Sequence, residues 1–112
     1  MKKTIETQKT RIEELLKLIK ENPDLPIVAM VDSEVVRGEH YARWLGAWGC
    51  ARIDKYYLGE NMIYFYDEDE KEEVLIEVMG YDNYMASNED NDIKIYRSIP
   101  WIDAIIVNID LP

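Results

Sequence analysis

The stretch WLGAWGCARIDKYYLGENMIYFY, residues 44–66, decides how the rest of the chain is read. Strand alternation would put Trp44, Gly46, Trp48, Cys50, Arg52, Asp54 and Tyr56 on one face, and Leu45, Ala47, Gly49, Ala51, Ile53, Lys55 and Tyr57 on the other. That is too long and too glycine-rich for one regular strand, and a glycine inside a strand pattern usually marks a break or bulge, so one is expected at Gly46 or Gly49. From Arg52 onward, two aromatic β-type runs flank a short turn at Gly59, Glu60 and Asn61, which is a hairpin signal.

Working outward, Ile5, Ile12, Leu16 and Ile19, widened by Leu15, form a stripe of helical period over residues 4–21, and Asn22-Pro23 stops it. LPIVAMVD (25–32) and WIDAIIVNID (101–110) are β-rich and apolar at consecutive positions, so both read as strands buried on two faces. SEVVRGEHY (33–41) is a polar connection around Gly38. Asp67 with Glu70 three residues later gives the capping-box spacing of a helix that runs to Gly80, with Val74, Leu75, Val78 and Met79 on its buried side. YDNYMASNEDN reads as a polar loop, followed by a helix capped at Ser87 or Asn88, carrying Ile93, Tyr96 and Ile99, and closed by Pro100. The expected fold is α+β: a mainly antiparallel sheet of about 4–5 strands with an N-terminal helix and two further helices packed on it. Residues 1–112 read as a single domain, the helix at about 4–21 preceding the sheet and helices of 25–112.

Charge limits the function classes. The 112 residues carry a net −10, unevenly: residues 1–20 hold six Lys/Arg against three Glu, whereas residues 60–92 hold twelve carboxylates and one cation, Lys71. A field of that sign repels phosphate backbones, so direct nucleic-acid binding is not expected and a basic protein partner is. One cysteine permits no internal disulfide, there is no signal-peptide pattern, and no apolar run is long enough to span a bilayer; a cytoplasmic protein without a membrane partner is expected.

The chemistry-bearing inventory is thin. Zinc needs clustered Cys and His, and the chain has one of each. An EF-hand loop begun at Asp67 or Asn88 lacks the required Gly and Glu, and no phosphate-binding glycine motif is present. No catalytic residue, metal ligand or cofactor is therefore assigned. Cys50 reads as a small buried hydrophobe and His40 as an exposed loop residue. They could instead join Trp44 and Trp48 around the pocket of an enzyme or small-ligand binder. The candidate interaction residues are Tyr56, Tyr64 and Tyr66 on the hairpin, with Asp67, Glu68, Asp69, Glu72 and Glu73 after it. Tyrosine is enriched at interfaces, and a carboxylate array can occupy a basic groove. Core packing for the tyrosines and a solvated face for the carboxylates are the competing readings.

NPDLPIVAMVDSEVV, YARWLGAWGCARIDKYYLGENMIYFYDEDEKEEV and SIPWIDAIIVNIDLP together resemble a family of small acidic proteins found in prophages and conjugative elements of gut Firmicutes. The resemblance covers nearly the whole chain after about residue 20. It implies an accessory role such as interference with host defence, and carries no site residue over.

Overall fold

Thr4 opens the first helix, its hydroxyl accepting the Thr7 N–H at 3.0 Å, and α1 runs from Ile5 to Glu21 before Asn22-Pro23 ends it. The computed structural model describes residues 4–36 and 42–112. Of the expected stripe, Leu16 lies exposed, because successive helical residues are turned by about 100°. The face that docks is Leu15, with Leu18 and Ile19 one turn on.

Among the described residues the strands β1 (Ile27–Val31), β2 (Ala47–Leu58), β3 (Ile63–Phe65) and β4 (Ile102–Asp110) form one sheet of order β1-β4-β2-β3. The α+β class and the four strands agree with expectation, but the sheet is mixed. β1 lies parallel to β4, pairing Ile27 with Ile105 through Val31 with Ile109, while β2 and β3 are antiparallel, pairing Tyr56 with Phe65 through Leu58 with Ile63. Both long apolar runs read as two-faced strands, yet only β4 is one: Ala104, Ile105, Ile106 and Val107 are all buried. β1 takes the edge, where Ile27 and Val31 remain half exposed, since an edge strand has a neighbour on one side only.

No break interrupts β2. Gly49 sits inside its 12 residues, and the requirement for glycine is proximity: a Cβ there would collide with the Asp110 carboxylate and stand 2.9 Å from the Asn108 carbonyl oxygen. Gly46, just before the strand, is crowded in the same way by the Ile109 side chain. Since β3 pairs with β2 only from Tyr56 to Leu58, the first half of β2 has an edge that no strand covers among the described residues. Gln8 of α1 fills part of it. Its side-chain amide donates to the Trp48 carbonyl at 3.1 Å and accepts the Trp48 N–H at 2.7 Å, as a neighbouring strand would.

After β3 come α2 (Lys71–Met79), α3 (Tyr81–Ala86) and α4 (Glu89–Ser98). α2 ends as read, at Gly80 with φ of 87°, and Asn88 caps α4 by accepting the Asn91 N–H at 2.9 Å. The helix α3 replaces the loop expected at YDNYMA. Six residues are too few to display a period, and its anchors are local: the Tyr84 N–H reaches the Gly80 carbonyl and the Asn83 amide reaches the Met79 carbonyl. The chain divides into two compact units, Met1–Ile53 with Ala104–Pro112, and Asp54–Asp103. The first packs Leu15, Ile105 and Val107 with Leu18, Ile19, Leu25 and Ala51. The second packs Tyr64, Val74, Leu75, Tyr96 and Ile99, with Tyr57 and Trp101 among the side chains around them.

Candidate functional site

Residues 54–103 contain fourteen Asp and Glu against Lys55, Lys71, Lys94 and Arg97, so this one unit holds a net −10, the whole charge of the chain. The other unit holds nine of each sign and is neutral. Half of those fourteen carboxylates fall between Asp67 and Glu77, around the start and along the length of α2.

The acidic turn is wired differently from a capping box. Asp67 accepts the Asp69 N–H at 3.1 Å and so caps a single 3-10 turn, Glu68–Glu70, that precedes α2. Glu70 reaches back to the Phe65 N–H at 3.4 Å instead of to its capping partner. Burial lifts the Glu70 carboxyl above its usual range; the Phe65 N–H opposes this, and the charges of Asp67 and Glu73 add to it. Glu68, Asp69, Glu72 and Glu73 are exposed, as is Asp67. Carboxylates here also complement the positive end of the α2 dipole, which is why the backbone tolerates so many at one place.

The tyrosines separate. Tyr64 is buried, its hydroxyl donating to Glu77 Oε1 at 3.3 Å, and burial together with Glu77 raises its pKa above 10.0; it belongs to the core of the unit. Tyr56 is half-buried on β2 opposite Phe65. Tyr66 remains 44% exposed while stacking on Tyr96, centroids 4.9 Å apart, and meeting the Trp101 ring edge to face at 5.3 Å. Trp101 donates its indole N–H to the Tyr96 carbonyl at 3.0 Å, and Lys71 Nζ lies 5.5 Å from the Tyr96 ring centre. Burial, and after it the proximity of Tyr66 and Glu68, push the Tyr96 hydroxyl up to about 12.

Tyr96 and Trp101 were absent from the sequence-derived site. They come from a helix stripe and a strand start, and only the turn at Ile99-Pro100 brings them beside Tyr66. Beside this cluster a recess of about 420 Å³ is lined by Lys55, Tyr66, Arg97, Ile99, Pro100 and Trp101. A second groove of about 440 Å³ lies among α2, α3 and α4, with Val78, Met79, Ala86 and Ile95 as its apolar lining.

Of the alternative site, Trp44, Trp48 and Cys50 lie among the described residues. Cys50 is exposed, contrary to its reading as a buried hydrophobe, because the even positions 48 and 50 of β2 face outward while Ala47 and Gly49 face inward. Trp48 is 41% exposed beside it. Trp44 is half-buried, with an indole N–H that has no partner among the described residues, and His40 lies outside those residues. Among the described residues no three His, Cys, Asp or Glu side chains are placed to hold a metal ion, and no helix is long and apolar enough to cross a membrane. No family model, curated protein or solved structure matches the chain.

Proposed function

We propose that the chain is a non-enzymatic protein-interaction factor that docks a basic protein through the acidic face of residues 54–103, with Tyr66 as its aromatic contact. The observation that carries this reading is the confinement of the entire net −10 to one compact unit, with Asp67, Glu68, Asp69, Glu72 and Glu73 all exposed at one turn. Charge arranged this way steers encounter with a positive groove and suppresses contact with acidic surfaces. Tyr66 adds an amphipathic ring already fixed by stacking, so little conformational freedom is lost when a partner covers it.

In the setting of a mobile genetic element, the partner is a host nucleic-acid-binding or defence protein, and the carboxylates occupy the groove that otherwise takes phosphates. The test is affinity capture from a Firmicutes host lysate, identification of the retained protein, and titration of the purified pair across salt. Binding should weaken steeply as salt rises and be lost when Glu68, Asp69, Glu72 and Glu73 are all changed to Lys. Lysines at the positive end of the α2 dipole cost some stability, so circular dichroism and a variant with Glu68, Asp69, Glu72 and Glu73 changed to Gln serve as controls that loss of binding is not loss of fold. Salt-independent binding, or a partner indifferent to the charge reversal, sinks the proposal.

A further inference from the structure

Cations are scarce in residues 54–103, and their placement is uneven. Fourteen carboxylates surround four basic side chains. Lys55 and Arg97 both line the recess beside Trp101, and Lys71 lies over the Tyr96 ring on which Tyr66 is stacked. Three of the four thus border one aromatic cluster. Lys55 is paired with Asp103 at 2.6 Å, whereas among the described residues Lys71, Lys94 and Arg97 have no carboxylate within ion-pair distance, and of these three only Arg97 lines the recess.

We propose that this recess is a binding site for a planar anion: an aromatic ring carrying a carboxylate or phosphate group. Tyr66 and Trp101 present ring surface, Ile99 and Pro100 supply an apolar lining, and the guanidinium of Arg97 stands at the same recess with its donors uncommitted to any described carboxylate. Guanidinium donors match carboxylate and phosphate oxygens two at a time, and the same planar group stacks on rings. At about 420 Å³ the recess lies within the size range of small-molecule sites. Lys55, half neutralised by Asp103, has further N–H donors for a second oxygen of the anion. The position of Arg97 in the last turn of α4 also suits the helix dipole, but that role requires a positive charge alone and would be served equally by lysine.

This site shares Tyr66 with the acidic docking face and lies in the unit that carries the net −10, so Arg97 and Lys55 have to offset the repulsion an anion meets there. The test is a titration with AMP followed by the NMR resonance of the Trp101 indole N–H, with adenosine, inorganic phosphate and indole-3-acetate as separate arms. AMP or indole-3-acetate should shift that resonance saturably, and where AMP does, adenosine and phosphate should each bind about tenfold more weakly than AMP. Response to indole-3-acetate but not AMP assigns a carboxylate ligand, and the reverse assigns a phosphate. Arg97→Gln should weaken the preferred probe about tenfold, Arg97→Lys should weaken it partially, and Lys55→Gln should weaken it less than Arg97→Gln because Lys55 is already paired. No saturable shift with either AMP or indole-3-acetate up to about 10 mM overturns the site. So does equal binding of adenosine and AMP with no response to indole-3-acetate, or unchanged affinity in Arg97→Gln.

Discussion

Replacing Gly49 by alanine isolates the reason β2 approaches β4 so closely. The added methyl group meets two obstacles: the Asp110 carboxylate, at the end of β4, which can swing away, and the Asn108 carbonyl oxygen at 2.9 Å, which is backbone and cannot. Overpacking of this kind costs about 1–3 kcal/mol. Alanine returns about 0.5–1 kcal/mol, because glycine loses the most backbone freedom on folding. The net expectation is a loss of about 1 kcal/mol for Gly49→Ala, within a span of roughly 0–2.5 kcal/mol, with more for Gly49→Val, whose branches have no space beside Asp110. Adding Asp110→Ala to Gly49→Ala should recover only part of the loss, because the Asn108 carbonyl remains. Urea unfolding followed by tryptophan fluorescence measures each variant at constant m-value. If Gly49→Ala is as stable as the parent, the close approach does not constrain the strand, and Gly49 is dispensable.

Gln8→Ala should cost about 1–2 kcal/mol, two partly exposed hydrogen bonds being lost, and should speed hydrogen exchange at the Trp48 amide; unchanged exchange there would mean Gln8 does not protect the edge. Tyr96→Phe should flatten the alkaline stability profile. The hydroxyl is raised from 10.0 to about 12 in the fold, so its contribution is complete below pH 10 and lost as pH climbs through about 12. Parallel profiles for parent and variant would refute that. Glu70→Gln should gain stability relative to the parent as pH rises from below 4.5 towards neutrality. The parent's Glu70 is held above 4.5 in the fold, so the parent alone loses stability as that carboxyl ionises; a constant difference in acid titrations would show the group is unperturbed.

Features set by neighbouring residues were legible in the sequence. The helix over residues 4–21, a cap at Ser87 or Asn88, Gly80 as a stop and the hairpin at Gly59–Asn61 depend on local hydrogen bonds and backbone preference, and all are found, with Asn88 as the cap. Features set by topology were not. IVAMV and AIIV look alike as apolar runs, and only the order β1-β4-β2-β3 decides that the second is central and the first an edge. Parallel pairing of β1 with β4 joins segments more than seventy residues apart, a separation no local pattern encodes. Of the two glycines at which a break or bulge is expected, Gly46 lies just before β2, while the strand runs through Gly49, where the crowding by Asp110 and Asn108 comes from the far end of the chain. Among the candidate contact residues, the exposed carboxylates were readable as a charge run. The burial of Tyr64 agrees with the core-packing reading of the hairpin tyrosines, whereas the gathering of Tyr96, Trp101 and Arg97 was not readable, since it requires the α4–β4 turn to be placed first.

The amide of Gln8 gives the N-terminal helix a second office. While α1 is docked, the uncovered margin of β2 is occupied at Trp48; once α1 detaches, that margin lies bare beside an exposed indole and the exposed thiol of Cys50. Bare margins recruit other strands. Helix detachment would therefore be registered first as self-association, concentration-dependent and lockable through an intermolecular Cys50 crosslink under oxidising conditions, ahead of any loss of the core around Val74 and Leu75.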